Sequence, residues 1–204
     1  MALDRSKLTF KFASAGFVFL IIAAVAFITY AFVTANPFMA LIPIVIMVAM
    51  AWILIVQRRD AYVVPTPNEV VEIMLDLAEL KEGETLYDLG SGDGRILIAA
   101  ARDYGVKAVG IEIDKTLVRI TQQAIRKQGL EDRVEVIQGS FWEYDLKDAD
   151  VVTMYLRQDT NDRLSRKLDA QLRKGARVVS HTFVMTGWDT VRVDEAHHVY
   201  VYEI

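Results

Sequence analysis

The sequence predicts an α/β domain built on a largely parallel sheet with helices on both faces, closed by an antiparallel hairpin and preceded by an apolar helical pair. Three observations predict it. Beyond residue 84, short apolar runs alternate with stretches of helical period. One junction, 85–96, passes from an apolar strand through Gly90, Gly92 and Gly94 directly into a helix. Ahead of all this, positions 12–57 hold no Asp, Glu, Lys, Arg or His.

Charge divides the chain in the same way. Of its 23 basic and 27 acidic residues, five basic residues and one acid precede position 60, giving +4 there and −8 beyond. Residues 1–59 are expected to form an anchor and 60–204 a separate domain. An acidic domain lacks the basic surface that nucleic acid needs, so no nucleic-acid partner is expected. The chain has no cysteine, which excludes disulfides, thiolate metal sites and cysteine nucleophiles. No metal site is expected: the adjacent pair His197-His198 would point to opposite sides of a strand.

Taken in order, 12–35 is long enough to cross a bilayer, which needs about 20 apolar residues. Asn36-Pro37 interrupts the run, and 38–56 is a second span with Pro43 in its early turns, where a kink is expected. Basic residues flank the pair at Arg5, Lys7, Lys11, Arg58 and Arg59, and the turn has none. Basic flanks mark the cytoplasmic side. The expectation is a two-pass lipid-bilayer anchor with both termini and the following domain cytoplasmic. Two rival readings remain: a signal peptide cleaved after 33–35, disfavoured by the length of the run and by the second span, and a buried helical pair within a soluble fold.

Residues 60–67 are expected to be extended, because each residue before a proline is pushed toward β or polyproline geometry. Thr66 and Glu69 have the spacing of a capping box, with Pro67 at the first helical position. Val70, Ile73, Met74, Leu77 and Ala78 give the apolar stripe of that helix, and Gly83 is expected to end it. Strands are expected at 86–89, 108–113, 134–138, 149–156 and 176–183, with helices at 95–104, 115–128 and 161–172. Near-continuous apolar strands separated by helices predict parallel pairing. Strands at 191–193 and 199–204 around a polar turn form the closing hairpin.

The glycine loop is a nucleotide cradle, since glycine permits positive φ and a close backbone approach to a ligand. Its third glycine comes one position earlier than in the G-x-G-x-x-G dinucleotide fingerprint, and no Gly-Lys-Ser/Thr follows. Asp88 and Asp93 would repel a pyrophosphate. They suit S-adenosylmethionine, which carries a sulfonium and an ammonium and no phosphate. Glu112 lies 18 residues past Gly94, the spacing at which an acid meets ribose hydroxyls. Ile113 can pack on adenine, and Ser140 and Phe141 follow the third strand near the expected adenine pocket.

The chain from about residue 62 resembles the seven-stranded, class I S-adenosylmethionine-dependent methyltransferases. Asp88-x-Gly90-x-Gly92-x-Gly94 matches their first motif and Glu112 their second-strand acid. Tyr62-Val-Val-Pro-Thr-Pro67, Leu86-Tyr-Asp-Leu-Gly-Ser-Gly-Asp-Gly-Arg-Ile96 and Gly175-Ala-Arg-Val-Val-Ser180 are similar to the archaeal protein-lysine methyltransferases and the membrane-anchored mitochondrial lysine methyltransferases. The resemblance implies a Rossmann-like seven-stranded sheet, S-adenosylmethionine held by Tyr62, Thr66, Asp88, Gly90, Ser91, Gly92, Asp93, Gly94, Glu112, Ile113, Ser140 and Phe141, and a protein substrate, itself membrane-associated. Two departures stand out. Ser140 replaces the family's usual acid after the third strand. The fourth strand, Thr153-Met-Tyr-Leu-Arg-Gln-Asp159, differs from known lysine-modifying members and lacks Asn/Asp-Pro-Pro-Tyr/Phe.

Tyr155, at the end of that strand, is the expected group orienting the acceptor, and equally a core aromatic. Asp114 is a ligand or a helix N-cap. His181 faces the site or serves structure. Trp142 and Trp188 read as packing residues, and Arg157, Arg163, Arg166 and Lys167 as a solvated face. The expected activity is methylation of protein lysine by a tethered enzyme. A lipid or small-molecule acceptor, and a non-catalytic binding module, are the alternatives.

Overall fold

The computed structural model describes residues 20–28, 30, 34, 41–59 and 64–204. The chain divides into two compact units, Met1–Val63 and Val64–Ile204. The expected outer parts of the apolar spans, the turn at Asn36-Pro37, and Tyr62 lie outside the described residues.

In the first unit, 20–28 is helical, and α1 (Leu41–Arg59) runs as one helix through Pro43 in its first turn. A missing amide is tolerated there, because the first-turn N–H groups have no intrahelical acceptor. Leu20, Ile21 and Ala24 share a cavity of about 260 Å³ with Ile46, Met47, Met50 and Ala51, so the two helices lie side by side. Ile22, Val25, Val45, Val48 and Trp52 are exposed. Among the described residues, no helix is long and apolar enough to cross a membrane.

The second unit is a seven-stranded sheet. Its elements are α2 (Asn68–Ala78), β1 (Thr85–Leu89), α3 (Arg95–Tyr104), β2 (Lys107–Glu112), α4 (Lys115–Gln128), β3 (Val134–Gln138), β4 (Val151–Met154), α5 (Gln158–Gln171), β5 (Arg177–His181), β6 (Arg192–Asp194) and β7 (Val199–Glu203). The strand order is β3-β2-β1-β4-β5-β7-β6. The first five strands pair in parallel, and β7 runs antiparallel to both β5 and β6.

Alternation along the strands divides the core. Leu86, Ala108, Val136, Val151, Val179 and Val201 pack with α2, α3 and α4, through residues such as Met74, Leu97 and Val118. Leu89, Ile111, Val152, Met154, Val178 and Tyr202 pack on the other face with Leu164 and Leu168 of α5. Each fully buried aliphatic side chain contributes about 1.5–3 kcal/mol, so both faces fix the ends of the central strands.

Helix α2 departs from expectation at both ends. It starts after Pro67, with no side-chain cap; Thr66 is buried instead. It stops at Ala78, well before Gly83, with Glu79 in the left-handed region at φ 50. Two arginines offset that cost. The Arg177 guanidinium donates to the carbonyls of Ala78 (2.6 Å) and Glu79 (2.7 Å) and also pairs with Glu84, while Arg192 donates to the Leu77 carbonyl at 2.9 Å. Cations at a helix C-terminus satisfy its orphan carbonyls and its dipole. Strand β4 is shorter than the expected 149–156, which leaves Tyr155 just beyond it, and α5 begins three residues early.

Candidate cofactor and acceptor site

The sheet order reverses between β1 and β4, and ligands of such sheets bind in the crevice beyond the carboxyl ends of the strands. The loop 90–94 occupies that point. Gly90, Gly92 and Gly94 have φ of 79°, 56° and 78°. The amides of Gly90 and Ser91 donate to the Ile111 carbonyl at 2.9 and 3.3 Å, and that of Gly94 to the Ser91 carbonyl at 2.9 Å. Thr121 of α4 donates its hydroxyl to the Gly92 carbonyl at 3.0 Å. A Cβ on Gly94 would sit 2.3 Å from Thr121 Cγ2, so glycine is required there for space as well as for φ.

Asp88 is 3% exposed. Register places it beside Thr153 of β4, whose hydroxyl donates to Asp88 Oδ1 at 2.8 Å. Burial pushes its carboxyl up to about 7, the Thr153 hydrogen bond opposing this and the charges of Glu112 and Asp93 adding to it. Glu112 is also buried. Its Oε2 accepts from the Gly92 amide at 2.9 Å and its Oε1 from the Asp114 amide at 2.8 Å. Glu112 thus braces the loop, and each oxygen keeps a lone pair for a hydroxyl.

Asp93 is tied to Arg95, whose Nε and Nη2 donate to it at 2.9 and 2.6 Å; that hydrogen bonding holds its carboxyl below the usual range. Arg95 also donates through Nη1 to the Thr66 carbonyl at 2.8 Å. The charge of Asp93 is therefore partly offset by Arg95, and the case against a pyrophosphate rests chiefly on Asp88 and Glu112. Thr66 enters through its backbone, as an anchor for Arg95.

Ile113 is 73% exposed at the end of β2, an open apolar surface beside Glu112. Ser140 turns the chain after β3: its carbonyl accepts from the Glu143 amide at 3.0 Å and its hydroxyl from the Trp142 amide at 3.4 Å. Phe141 is half-buried, its ring 5.1 Å from that of Trp142. Asp114 is the N-cap of α4, accepting from the amides of Thr116 and Leu117. The expected solvated basic face is partly engaged: Arg163 lies 4.7 Å over the Trp142 ring, and Lys167 donates to the Tyr144 carbonyl at 2.5 Å. Trp188 packs edge-on against Tyr202 at 5.8 Å. Tyr155 and His181 stand together, ring centroids 4.3 Å apart.

Sequence reasoning missed Thr153, Thr121, Arg95 and Gly110. A Cβ on Gly110 would meet Ser91 Oγ at 2.6 Å and Leu97 Cδ1 at 2.4 Å, so this β2 glycine lets the loop settle onto the sheet. Alternation puts Thr153 on the same side as Tyr155, which was a usable signal; its partner Asp88 depends on β1 and β4 being neighbours.

These residues fit S-adenosylmethionine: a buried acid for its cationic end, an acid for ribose hydroxyls, and an exposed apolar side chain for a flat base. Sheet order, closing antiparallel strand and acid-flanked glycine loop together define a class I S-adenosylmethionine-dependent methyltransferase. Residues 88–192 match the family described as the ANTKMT methyltransferase domain, and the chain belongs to that family. It is 43% identical over 148 residues to a protein-lysine N-methyltransferase of Saccharolobus islandicus (strain REY15A), covering 69% of this chain and 92% of that protein. It is 33% identical over 136 residues to the adenine nucleotide translocase lysine N-methyltransferase of Mus musculus, covering 66% of this chain and 59% of that one. Among solved structures, an RNA methyltransferase from Salinibacter ruber in complex with S-adenosyl-L-homocysteine superposes with a TM-score of 0.66 at 46% identity, covering 69% of this chain and 92% of that one. S-adenosylmethionine is the cofactor.

Proposed function

We propose that this enzyme methylates the side-chain amine of lysine in a protein substrate, from a domain spanning 60–204 that is tethered to a membrane by 12–35 and 38–56 with both termini cytoplasmic. The observation that carries the acceptor is the 43% identity to the archaeal protein-lysine N-methyltransferase over 92% of its length. The tether is supported by the charge-free run 12–57. It is also supported by the apolar side chains exposed on both helices of the first unit, which a water-facing pair would have to cover.

The bound cofactor supplies a methyl group on a positively charged sulfur. The residues of the chain do the rest. Asp88, Glu112 and Ile113 hold cation, ribose and base, and the loop 90–94 fixes the approach. The main contribution of the enzyme is alignment of the acceptor lone pair with the methyl carbon, a proximity effect. Tyr155 borders the place where the acceptor must stand.

An RNA acceptor is the second reading, favoured by the description of the Salinibacter protein. The net charge of −8 beyond residue 59 weighs against it, since RNA is held through phosphate contacts to basic side chains. The test is incubation of the full chain with methyl-labelled S-adenosylmethionine and membranes of its source cell, followed by acid hydrolysis of the protein fraction. Labelled methyl-lysine is expected. Label confined to RNA or to the lipid extract, with no methyl-lysine, would reject this reading.

A further inference from the structure

The acceptor half of the crevice holds a feature that cofactor binding does not explain. Asp88, Thr153 and Val179 are register neighbours in one row across β1, β4 and β5. Two residues further along the last two strands come Tyr155 and His181, at the carboxyl ends where the acceptor stands. Their rings are 4.3 Å apart and inclined at 45°. His181 is buried, and its Nδ1 has no hydrogen-bond partner among the described residues. A buried polar atom left unpaired in a native fold calls for an explanation, and a catalytic role is one.

The backbone beside it is strained. Thr182 has φ 69, a conformation that costs a β-branched residue about 1–3 kcal/mol. Its amide donates to the His198 carbonyl at 2.7 Å, and the Phe183 amide donates to that of His181 at 2.8 Å. These bonds hold the backbone that carries the His181 ring. Burial, and then the neighbouring His198 and His197, push its imidazole below the ordinary histidine range, which favours the neutral ring. The groups around it are Tyr155 from the end of β4, and His197 and His198 from the β6–β7 turn. His197 is itself held by Asp194 at 3.0 Å and by Glu69 of α2 at 3.7 Å.

We propose that His181 is the proton acceptor for the substrate ammonium, with Tyr155 as the wall that orients it; this rests on the lysine reading above. A lysine ammonium has no lone pair, and at pH 7 roughly one in a few thousand is neutral. A buried site next to the cofactor's positive charge lowers the amine's pKa and brings it toward that of the ring. The N–H bond of the ammonium breaks, its proton goes to the unprotonated ring nitrogen of His181, and the electron pair stays on the amine. That pair forms the new N–C bond to the methyl group, while the electrons of the breaking C–S bond remain on sulfur as a neutral thioether. The imidazolium returns its proton to solvent.

The test uses the full chain with S-adenosylmethionine and source-cell membranes, following methyl-lysine formation from pH 6 to 10. In His181→Gln the rate at pH 7 is expected to fall about 30-fold or more, typical of a lost general base. The deficit should shrink toward pH 10, where the ammonium loses its proton to solvent unaided, and S-adenosylmethionine affinity by calorimetry should stay within about twofold, because the ring does not hold the cofactor. A wild-type rate and pH profile in this variant overturns the proposal. The native chain gives a second readout that needs no variant: the His181 ring resonance, one of three histidines, should titrate below pH 6.5 in step with the turnover rate. A ring that titrates apart from the rate also overturns it. Unchanged methyl-lysine formation in His181→Gln removes the proton role alone, whereas label only in lipid or RNA removes the lysine reading and this proposal with it.

Discussion

The two halves of the crevice are built differently. Around the loop 90–94 the amides of Gly90, Ser91, Gly92 and Gly94 all have acceptors and both oxygens of Glu112 are engaged; Ser91 Oγ is the side-chain atom buried there without a partner among the described residues. At the ends of β4 and β5, His181 Nδ1 and Asn161 Oδ1 are buried without partners among the described residues, Thr182 is strained, and the segment between β5 and β6 is irregular. The first half is preset for one cofactor and resists change. The second holds two of the three buried unpaired side-chain atoms among the described residues and the irregular backbone, which is where an enzyme of a shared fold adapts to its own acceptor.

That contrast predicts a gradient of effects. Gly94→Ala is the most damaging, because the added Cβ collides with a fully buried Thr121 in a left-handed backbone. A loss of about 3 kcal/mol of stability is expected, with S-adenosylmethionine binding abolished in calorimetry.

Asp88→Asn comes next, lowering cofactor affinity by about 30-fold, or roughly 2 kcal/mol, while secondary structure by circular dichroism is unchanged. Its pH signature is specific. With the folded carboxyl near 7 and the unfolded one near 4, the folded state holds the extra proton between those values. The stability from this group is complete below about pH 4 and is lost as pH rises through about 7. Asp88→Asn should therefore raise the melting temperature more at pH 8 than at pH 5. In the native chain, affinity for the cationic cofactor should rise about tenfold between pH 6 and 8 as Asp88 ionises.

Glu112→Gln turns one backbone-facing oxygen into a donor set against an amide, which should cost about 1.5 kcal/mol of stability in urea unfolding. Arg95→Ala is mildest: it frees the Thr66 carbonyl and Asp93, worth about 1 kcal/mol in the same assay.

Legibility in the sequence follows the same divide. Seven strands, the loop, Asp88 and the distance to Glu112 were readable because they depend on local order: alternation, glycine spacing, and one strand–helix unit. What escaped depends on partners far along the chain. Thr66 has the spacing of a cap, yet Arg95, 29 residues on, takes its carbonyl. Gly83 reads as the end of α2, but Arg177 and Arg192 let the helix stop at Ala78. Asp93 reads as free negative charge until Arg95 folds back onto it. Even Tyr155 gained meaning only when strand pairing set His181 beside it.

The most direct measurement is S-adenosylmethionine binding by calorimetry at pH 6 and 8 for the native chain, Asp88→Asn and His181→Gln. The expected result is affinity that rises with pH in the native chain and in His181→Gln, and weak, pH-independent binding in Asp88→Asn. Full affinity in Asp88→Asn, or its loss in His181→Gln, would contradict the assignment of one half of the crevice to the cofactor and the other to the acceptor.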